Sequence, residues 1–99
     1  MRNAPGDILA AVEFYATDAG GRSSPTPPDK LSCIMLIDGN AFDVRLHLNC
    51  RVAPGQTITV PISFLSAAGR SHTSIGKKFL LRELRTIAEG RILEVYSVD

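Results

Sequence analysis

Residues 76–95 decide the fold of this chain, and they read GKKFLLRELRTIAEGRILEV. The pattern predicts two short strands, Lys78–Arg82 and Thr86–Val95, because Phe79 and Leu81 alternate with the other residues of the first and aliphatic side chains recur in the second. The connection between them, residues 82–86, is mostly charged and cannot belong to a core. We therefore predict a β-hairpin whose arms build the fold and whose tip meets solvent or a partner.

Four earlier segments carry similar patterns, and we predict strands at residues 8–15, 31–37, 42–48 and 57–65. The second of these is apolar on both faces, so Ile34 and Leu36 point outward and become candidates for a protein interface. Pro61 lies on the outward face of the fourth and removes one donor from the ladder. This predicts a free edge or a bulge at that point.

Turn signals separate these strands. Asp38-Gly39-Asn40 predicts a tight hairpin turn. Gly20-Gly21 and three prolines predict a long irregular loop over residues 17–29, and residues 66–75 are expected to form a small polar loop.

The sequence thus predicts six strands and no convincing helix. Its length of 99 residues is enough for one domain. We predict an all-β fold, a single six-stranded antiparallel Greek-key-like β-barrel over residues 7–99, preceded by a flexible N-terminus at residues 1–6. Closure is favoured because an open sheet of this size would expose two hydrogen-bonding edges.

Net charge is only +1, so the molecule as a whole is not expected to attract nucleic acid or a membrane surface. The distribution is less even, since residues 66–85 carry five basic side chains against one acid, Glu83. A local basic binding surface and an ordinary solvated face both stay open at this point.

The N-terminal residues hold no long apolar run before a small-residue cleavage site, so we expect no secretory signal and a cytoplasmic protein. No window approaches the roughly 20 apolar residues that span a bilayer, so no membrane is expected as a partner. Cys33 and Cys50 are expected to be reduced core residues. The predicted hairpin puts Cys33 opposite about position 46, which leaves Cys50 too far away for a disulfide.

The sequence offers few groups for catalysis or metal binding. His47 falls on the polar face of a strand, and His72 falls in a loop beside Ser71, where adjacent residues do not hold a nucleophile in place. Cysteine and histidine lack paired metal-ligand spacing, and Gly20-Gly21 precedes prolines rather than a phosphate-binding helix. We therefore expect no enzyme, no metal, no cofactor and no bound nucleotide.

Three segments together resemble one known family. Residues 13–25 read EFYATDAGGRSSP, residues 52–65 read VAPGQTITVPISFL, and residues 76–90 read GKKFLLRELRTIAEG. In this order and approximate spacing they are similar to the C-terminal, third domain of the bacterial translation elongation factor Tu. The resemblance extends from about residue 7 to residue 95. It implies a six-stranded barrel that helps grip the T-stem of aminoacyl-tRNA and packs against a GTPase domain.

The resemblance also implies where a partner would bind. Gly20, Gly21 and Arg22 would lie in the loop that approaches tRNA, and Arg85 and Thr86 would lie in the hairpin tip that does likewise. Arginine contacts phosphate through several donors, and glycine lets a backbone come close to ribose.

The chain departs from the family in three ways that bear on function. The family's Tyr-Arg-Pro-Gln-Phe segment after the proline loop is missing, and residues 27–35 read PPDKLSCIM instead. Leu84 stands where the family has two glycines, so the tip is shorter and bulkier. The chain contains no G-x-x-x-x-G-K-[ST] motif, hence no GTPase domain, and is expected to act as a barrel alone.

We therefore predict a non-enzymatic binding module that docks a partner through its loop at residues 20–28 and its hairpin tip, with Arg82 added to the partner-binding residues. A protein partner or a second copy is preferred, because net charge is small and no aromatic side chain is interleaved with the basic ones. The alternative is a tRNA-like RNA stem, whose binding would also use Lys77 and Lys78.

The charged residues at these positions have simpler roles open to them as well. Arg22 could pair with Asp18 across its turn, and Arg82 could pair with Glu83 at the tip. Exposed ion pairs of this kind contribute little to stability.

Overall fold

The computed structural model describes residues 6–96 as a closed barrel of six antiparallel strands with two short 3-10 helices. The strands are β1 (Ile8–Phe14), β2 (Lys30–Ile37), β3 (Asn40–His47), β4 (Thr57–Phe64), β5 (Lys78–Arg82) and β6 (Thr86–Val95). The 3-10 helices span Thr17–Ala19 and Ala67–His72. The predicted fold class is confirmed. Residues 1–5, most of the predicted flexible N-terminus, lie outside the described residues, as do residues 97–99.

The strands follow one another around the barrel in the order β1-β4-β3-β2-β5-β6, and β6 closes on β1. Two hairpins, β2–β3 and β5–β6, supply neighbouring strands directly. The ladders that join β3 to β4 and β2 to β5 are the shortest, with three residue pairs each. The barrel therefore has two narrow seams where neighbouring strands share few hydrogen bonds.

Alternating apolar side chains fill most of the barrel, because successive side chains on a strand point to opposite faces. In β1, for example, Ile8, Ala10, Val12 and Phe14 are all buried. In β6, by contrast, the neighbours Ile87 and Ala88 are both buried. The core is completed by inward side chains of the other strands and two residues after β3: Leu31, Cys33, Met35, Ile37, Val44, Leu46, Leu48, Val52, Val60, Ile62, Phe64, Phe79, Leu81, Ile87, Ala88 and Ile92.

The β2–β3 turn forms at the predicted place but is tighter than expected. Asp38 and Gly39 both have positive φ, +54° and +75°, which is typical of a two-residue hairpin turn. Cys33 consequently lies opposite Val44, and the predicted position, about 46, is wrong by two residues. Both cysteines are free thiols, but Cys50 is exposed, so its predicted place in the core is wrong.

Both predicted loops contain a short helical turn. The loop at 66–75 holds the second 3-10 helix, which Ser66 caps by accepting a hydrogen bond from the Ala68 N–H. Its Gly69 is buried against the Phe64 ring, so a side chain there would collide with the core. Among the described residues, no helix is long and apolar enough to cross a membrane.

Pro61 marks the end of the β3–β4 ladder. The last pair is Leu46 with Ile62, and the next residue of β4, which would face His47, is the proline without an N–H. The ladder of β4 with β1 continues past this point through the pair Leu9–Pro61. The predicted free edge is therefore confirmed on the β3 side of the strand.

Candidate partner-binding site at the hairpin tip

The hairpin tip, residues 82–86, projects from the end of the β5–β6 ladder. The register shifts after Leu81, so that Arg82 faces Thr86. The Glu83 N–H donates to the Arg85 carbonyl oxygen at 3.0 Å and closes the turn. Leu84 at the apex is 97% exposed. The turn thus holds a large apolar side chain in water.

An ion pair joins this tip to the loop at residues 20–28. Arg22 Nη1 lies 2.6 Å from both carboxylate oxygens of Glu83, although the two residues are 61 positions apart in sequence. Arg22 also donates from Nε to the Ser24 carbonyl oxygen at 3.3 Å, which fixes the guanidinium within its own loop. The predicted alternatives, Arg22 with Asp18 and Arg82 with Glu83, are wrong: among residues 6–96, Glu83 pairs with Arg22.

A cleft of about 270 Å³ lies between this loop and the tip. We call its lining the tip surface: Arg22, Ser23, Ser24, Glu83, Leu84, Arg85 and Ile87. Two of the predicted partner-binding residues, Arg22 and Arg85, therefore share one surface. Ser23 and Ser24 belong to the predicted loop at residues 20–28 but were not singled out, and Ile87 was not predicted, because nothing in the sequence distinguishes them from other loop and strand residues.

The paired glycines shape the loop and do not line the cleft. Gly20 has a φ of +96° and ends the first 3-10 helix by donating its N–H to the Thr17 carbonyl oxygen. Gly21 is buried, and a Cβ there would collide with the backbone of Tyr15. The close approach that glycine permits here is to the chain itself, and it sets the position of Arg22.

The two lysines predicted to aid RNA binding lie at the other end of β5. Lys77 Nζ donates to Asp38 Oδ2 at 2.6 Å, next to the β2–β3 turn. Lys78 begins β5 and Arg82 ends it, a separation of about 13 Å at the usual strand rise. The two lysines are therefore not part of the tip surface.

The predicted protein-interface residues lie beside the base of the tip. Ile34 and Leu36 are half-buried on the outside of β2. Ile34 faces Arg82 across the β2–β5 ladder, and Leu36 faces Leu80, which is 39% exposed. These side chains form a small apolar strip that continues toward the tip.

Thr26 holds the proline-rich loop in place. It is completely buried, its N–H donates to the Val52 carbonyl oxygen, and its Oγ1 accepts the Val52 N–H, both at 2.9 Å. A threonine between two prolines carries no periodicity, so sequence reasoning gave this residue no role. It keeps the loop that carries Arg22 against the barrel.

Comparison with models of known protein families finds no match for this chain, and a search among curated proteins finds none either. The resemblance of its three segments to elongation factor Tu therefore enters the functional argument as a proposal.

Proposed function

We propose that this chain is a protein-binding module, related to the third domain of elongation factor Tu, that docks a partner through the tip surface. The observation that carries the proposal is the ion pair between Arg22 and Glu83. Both joined segments were predicted to contact a partner, and the ion pair brings them together in one surface. A cytoplasmic location belongs to the proposal, and the free thiols of Cys33 and Cys50 suit it.

Leu84 is the expected anchor of the complex. At 97% exposure it contributes almost nothing to the barrel's own core, whereas burying a leucine side chain in a partner is worth about 1.5–3 kcal/mol. The closed turn and the Arg22–Glu83 pair hold the apex in one conformation. Such preorganisation reduces the entropy lost on binding.

Charge at the tip favours a protein partner over RNA. Arg22 is neutralised by Glu83 and its side chain is only 19% exposed, so it is poorly placed to contact phosphate. Lys77 is paired with Asp38. Of the predicted cations, Arg82 and Arg85 stay exposed at the tip, and the leucine between them offers nothing to a phosphate backbone.

RNA binding stays the second candidate because of those two arginines. Arg82 and Arg85 have no acidic partner among the described residues. Two phosphate contacts would give a salt dependence of about 1.8 in log affinity against log salt. This slope is small for a nucleic-acid complex. Its presence or absence in a salt titration distinguishes RNA binding from protein binding.

A titration with bulk tRNA at low and moderate salt provides the first test. We expect no saturable binding to the wild-type protein at low salt. Saturable binding with a salt slope near 2, reduced in an Arg85→Ala variant, would instead establish the RNA alternative and remove the protein proposal.

The protein proposal is tested by immobilising three forms of the chain, the wild type, Leu84→Ala and Ile75→Ala, and comparing the proteins that each form captures. Leu84→Ala should lose a protein that the wild type retains. Ile75→Ala should keep it, because Ile75 is also largely exposed, at 73%, but precedes β5 at the other end of the hairpin. The same set of proteins on all three forms would contradict the proposal.

A further inference from the structure

A polar group on the outer face of β3 and β4 has no part in the tip surface. His47 Nε2 and Ser63 Oγ lie 2.7 Å apart, and Arg45 faces Ser63 directly across the ladder. All three residues are half-buried. Because they belong to neighbouring strands rather than loops, the barrel itself fixes their relative positions.

His47 has the properties of a base toward Ser63. Burial lowers its pKa and the nearby Arg45 lowers it further, while the Asp7 carboxylate acts in the opposite direction. The imidazole is therefore neutral near pH 7, and in the tautomer protonated at Nδ1 its Nε2 accepts the Ser63 hydroxyl proton. A hydroxyl bonded to a neutral imidazole is the arrangement that activates a serine nucleophile.

Arg45 supplies an unused positive charge beside this pair. Its Nε is buried, and within residues 6–96 it has no hydrogen-bond acceptor. No ion pair of Arg45 with a described carboxylate is formed either. A fixed cation close to a serine oxygen stabilises the negative charge that develops when that oxygen attacks a carbonyl group.

A small cleft opens beside His47 where the β3–β4 ladder stops at Pro61. We call it the seam cleft; its volume is about 130 Å³. Its lining is mostly apolar and consists of His47, Leu48, Asn49, Cys50, Val52, Ile58, Thr59, Val60 and Pro61. Ser63 lies two residues beyond Pro61 on the same outward face of β4. A short apolar chain attached to a group at Ser63 would therefore have an apolar cleft next to it.

We propose that Ser63 and His47 form a nucleophile–base pair that accepts a short apolar acyl group from an activated ester. Ser63 Oγ bonds to the carbonyl carbon while His47 Nε2 takes the hydroxyl proton, and Arg45, which is paired with Ser63 across the ladder, supplies a positive charge on the same strand face. The bond from the carbonyl carbon to the ester oxygen then breaks, and His47 returns the proton to the leaving alcohol. The product is an acyl-serine, which water can hydrolyse with the same base.

This site differs from the expectation that neither histidine has a chemical role. The sequence placed His47 on a polar strand face correctly, but its partner Ser63 is 16 residues away. Only the register of β3 against β4 brings the two side chains together. The site is independent of the tip surface, so either proposal can fail without the other.

The test uses an alkyl fluorophosphonate probe with the full chain, followed by mass spectrometry of the labelled peptide. Ser63 Oγ displaces fluoride from phosphorus, and His47 takes the proton. We expect one label, on Ser63, in the native protein and none at that position in urea. Release of 4-nitrophenol from 4-nitrophenyl butyrate should show a burst that the same label abolishes.

Two variants separate activation from simple exposure. His47→Gln should slow labelling of Ser63 roughly 100-fold, the usual contribution of a general base. Ser71→Ala is the matched control and should label like the wild type, because Ser71 precedes His72 in sequence but donates to the Ala68 carbonyl oxygen. Mass spectrometry of the acylated wild type should place the butyryl group on Ser63 and not on Cys50, which excludes the exposed thiol as the acyl acceptor.

Two results would overturn the proposal. One is a native protein whose Ser63 is labelled no faster than the same serine in urea, a comparison that needs no variant to fold. The other is an unchanged labelling rate in His47→Gln, with its folded state checked by circular dichroism.

Discussion

The Asp7 carboxylate fastens the beginning of β1 to the end of β4, so an Asp7→Ala variant should unfold much more readily than the wild type. Asp7 is only 6% exposed. Its Oδ2 accepts the Phe64 N–H at 2.8 Å, and its Oδ1 lies 3.1 Å from Arg70 Nε. The variant would leave one buried N–H without an acceptor and one arginine without a partner.

The expected cost follows from these two contacts. An unsatisfied buried N–H costs about 1–3 kcal/mol. The pair with Arg70 adds at most about 1 kcal/mol, because the Arg70 side chain is 45% exposed. A total near 3 kcal/mol corresponds to a fall in Tm of roughly 12–24 °C for a domain of this size.

Urea and thermal unfolding followed by circular dichroism measure this cost, with Asp7→Asn as the matched control. The asparagine keeps an oxygen that can accept the Phe64 N–H and loses only the charge facing Arg70. We expect it to cost about 1 kcal/mol or less. An Asp7→Ala variant within about 0.5 kcal/mol of the wild type, or equal losses in both variants, would refute this account of Asp7.

Three further predictions concern the turn at Asp38, the thiols and the glycine pair. A hydrogen bond from Lys77 lowers the pKa of Asp38, so the carboxylate stabilises the fold above its ordinary pKa and loses that contribution as pH falls through the lowered value. Wild-type and Asp38→Asn urea midpoints should therefore differ at pH 6 and converge at strongly acidic pH; a constant difference would contradict this. Burial raises the pKa of Cys33 to about 12, so a disulfide-exchange reagent at pH 8 should titrate Cys50 alone in the native protein and both thiols in denaturant, whereas two fast native thiols would disagree. Gly21→Ala should lose about 2 kcal/mol or more in urea unfolding, since its Cβ would meet backbone, and a neutral effect would show that the loop can yield.

Local pattern was sufficient to predict the strands and the fold class, although it placed Cys50 wrongly in the core. Both arms of the final hairpin, Lys78–Arg82 and Thr86–Val95, have the predicted bounds. In the first arm the burial alternates with a period of two, and in the second the recurring aliphatic side chains indicated a strand. Asp38-Gly39 located a turn, and Pro61 located a break in a ladder, since each imposes a backbone constraint of its own.

Contacts between distant segments could not be predicted in this way. Periodicity tells which face of a strand is buried, but it carries no information on which charged residue of another segment lies opposite. The alternative left open for Arg22 was therefore a local pair with Asp18, and it pairs instead with Glu83. The error in the Cys33 register has a related origin, because the pairing depends on the number of residues in the turn rather than on the strand pattern.

The tip surface was predicted in part. The resemblance to elongation factor Tu selected Arg22 and Arg85, and the structure brings them to one cleft. The basic composition of residues 66–85 added Lys77 and Lys78 for the RNA alternative, and these lie at the far end of β5. The two ends of an extended five-residue strand lie about 13 Å apart. Basic residues that are close in sequence, such as Lys78 and Arg82, therefore do not form one cluster on the surface.

Site-specific photocrosslinking at the apex of the hairpin tip tests the protein-binding proposal most directly. The chain is expressed in the cells that make it, with Leu84 replaced by a benzophenone amino acid, and Ile75 carries the same replacement as the control position. We predict an adduct from position 84 and none from position 75, destroyed by protease and resistant to ribonuclease. An adduct from neither position, equal adducts from both, or an adduct from position 84 that ribonuclease removes would contradict the proposal.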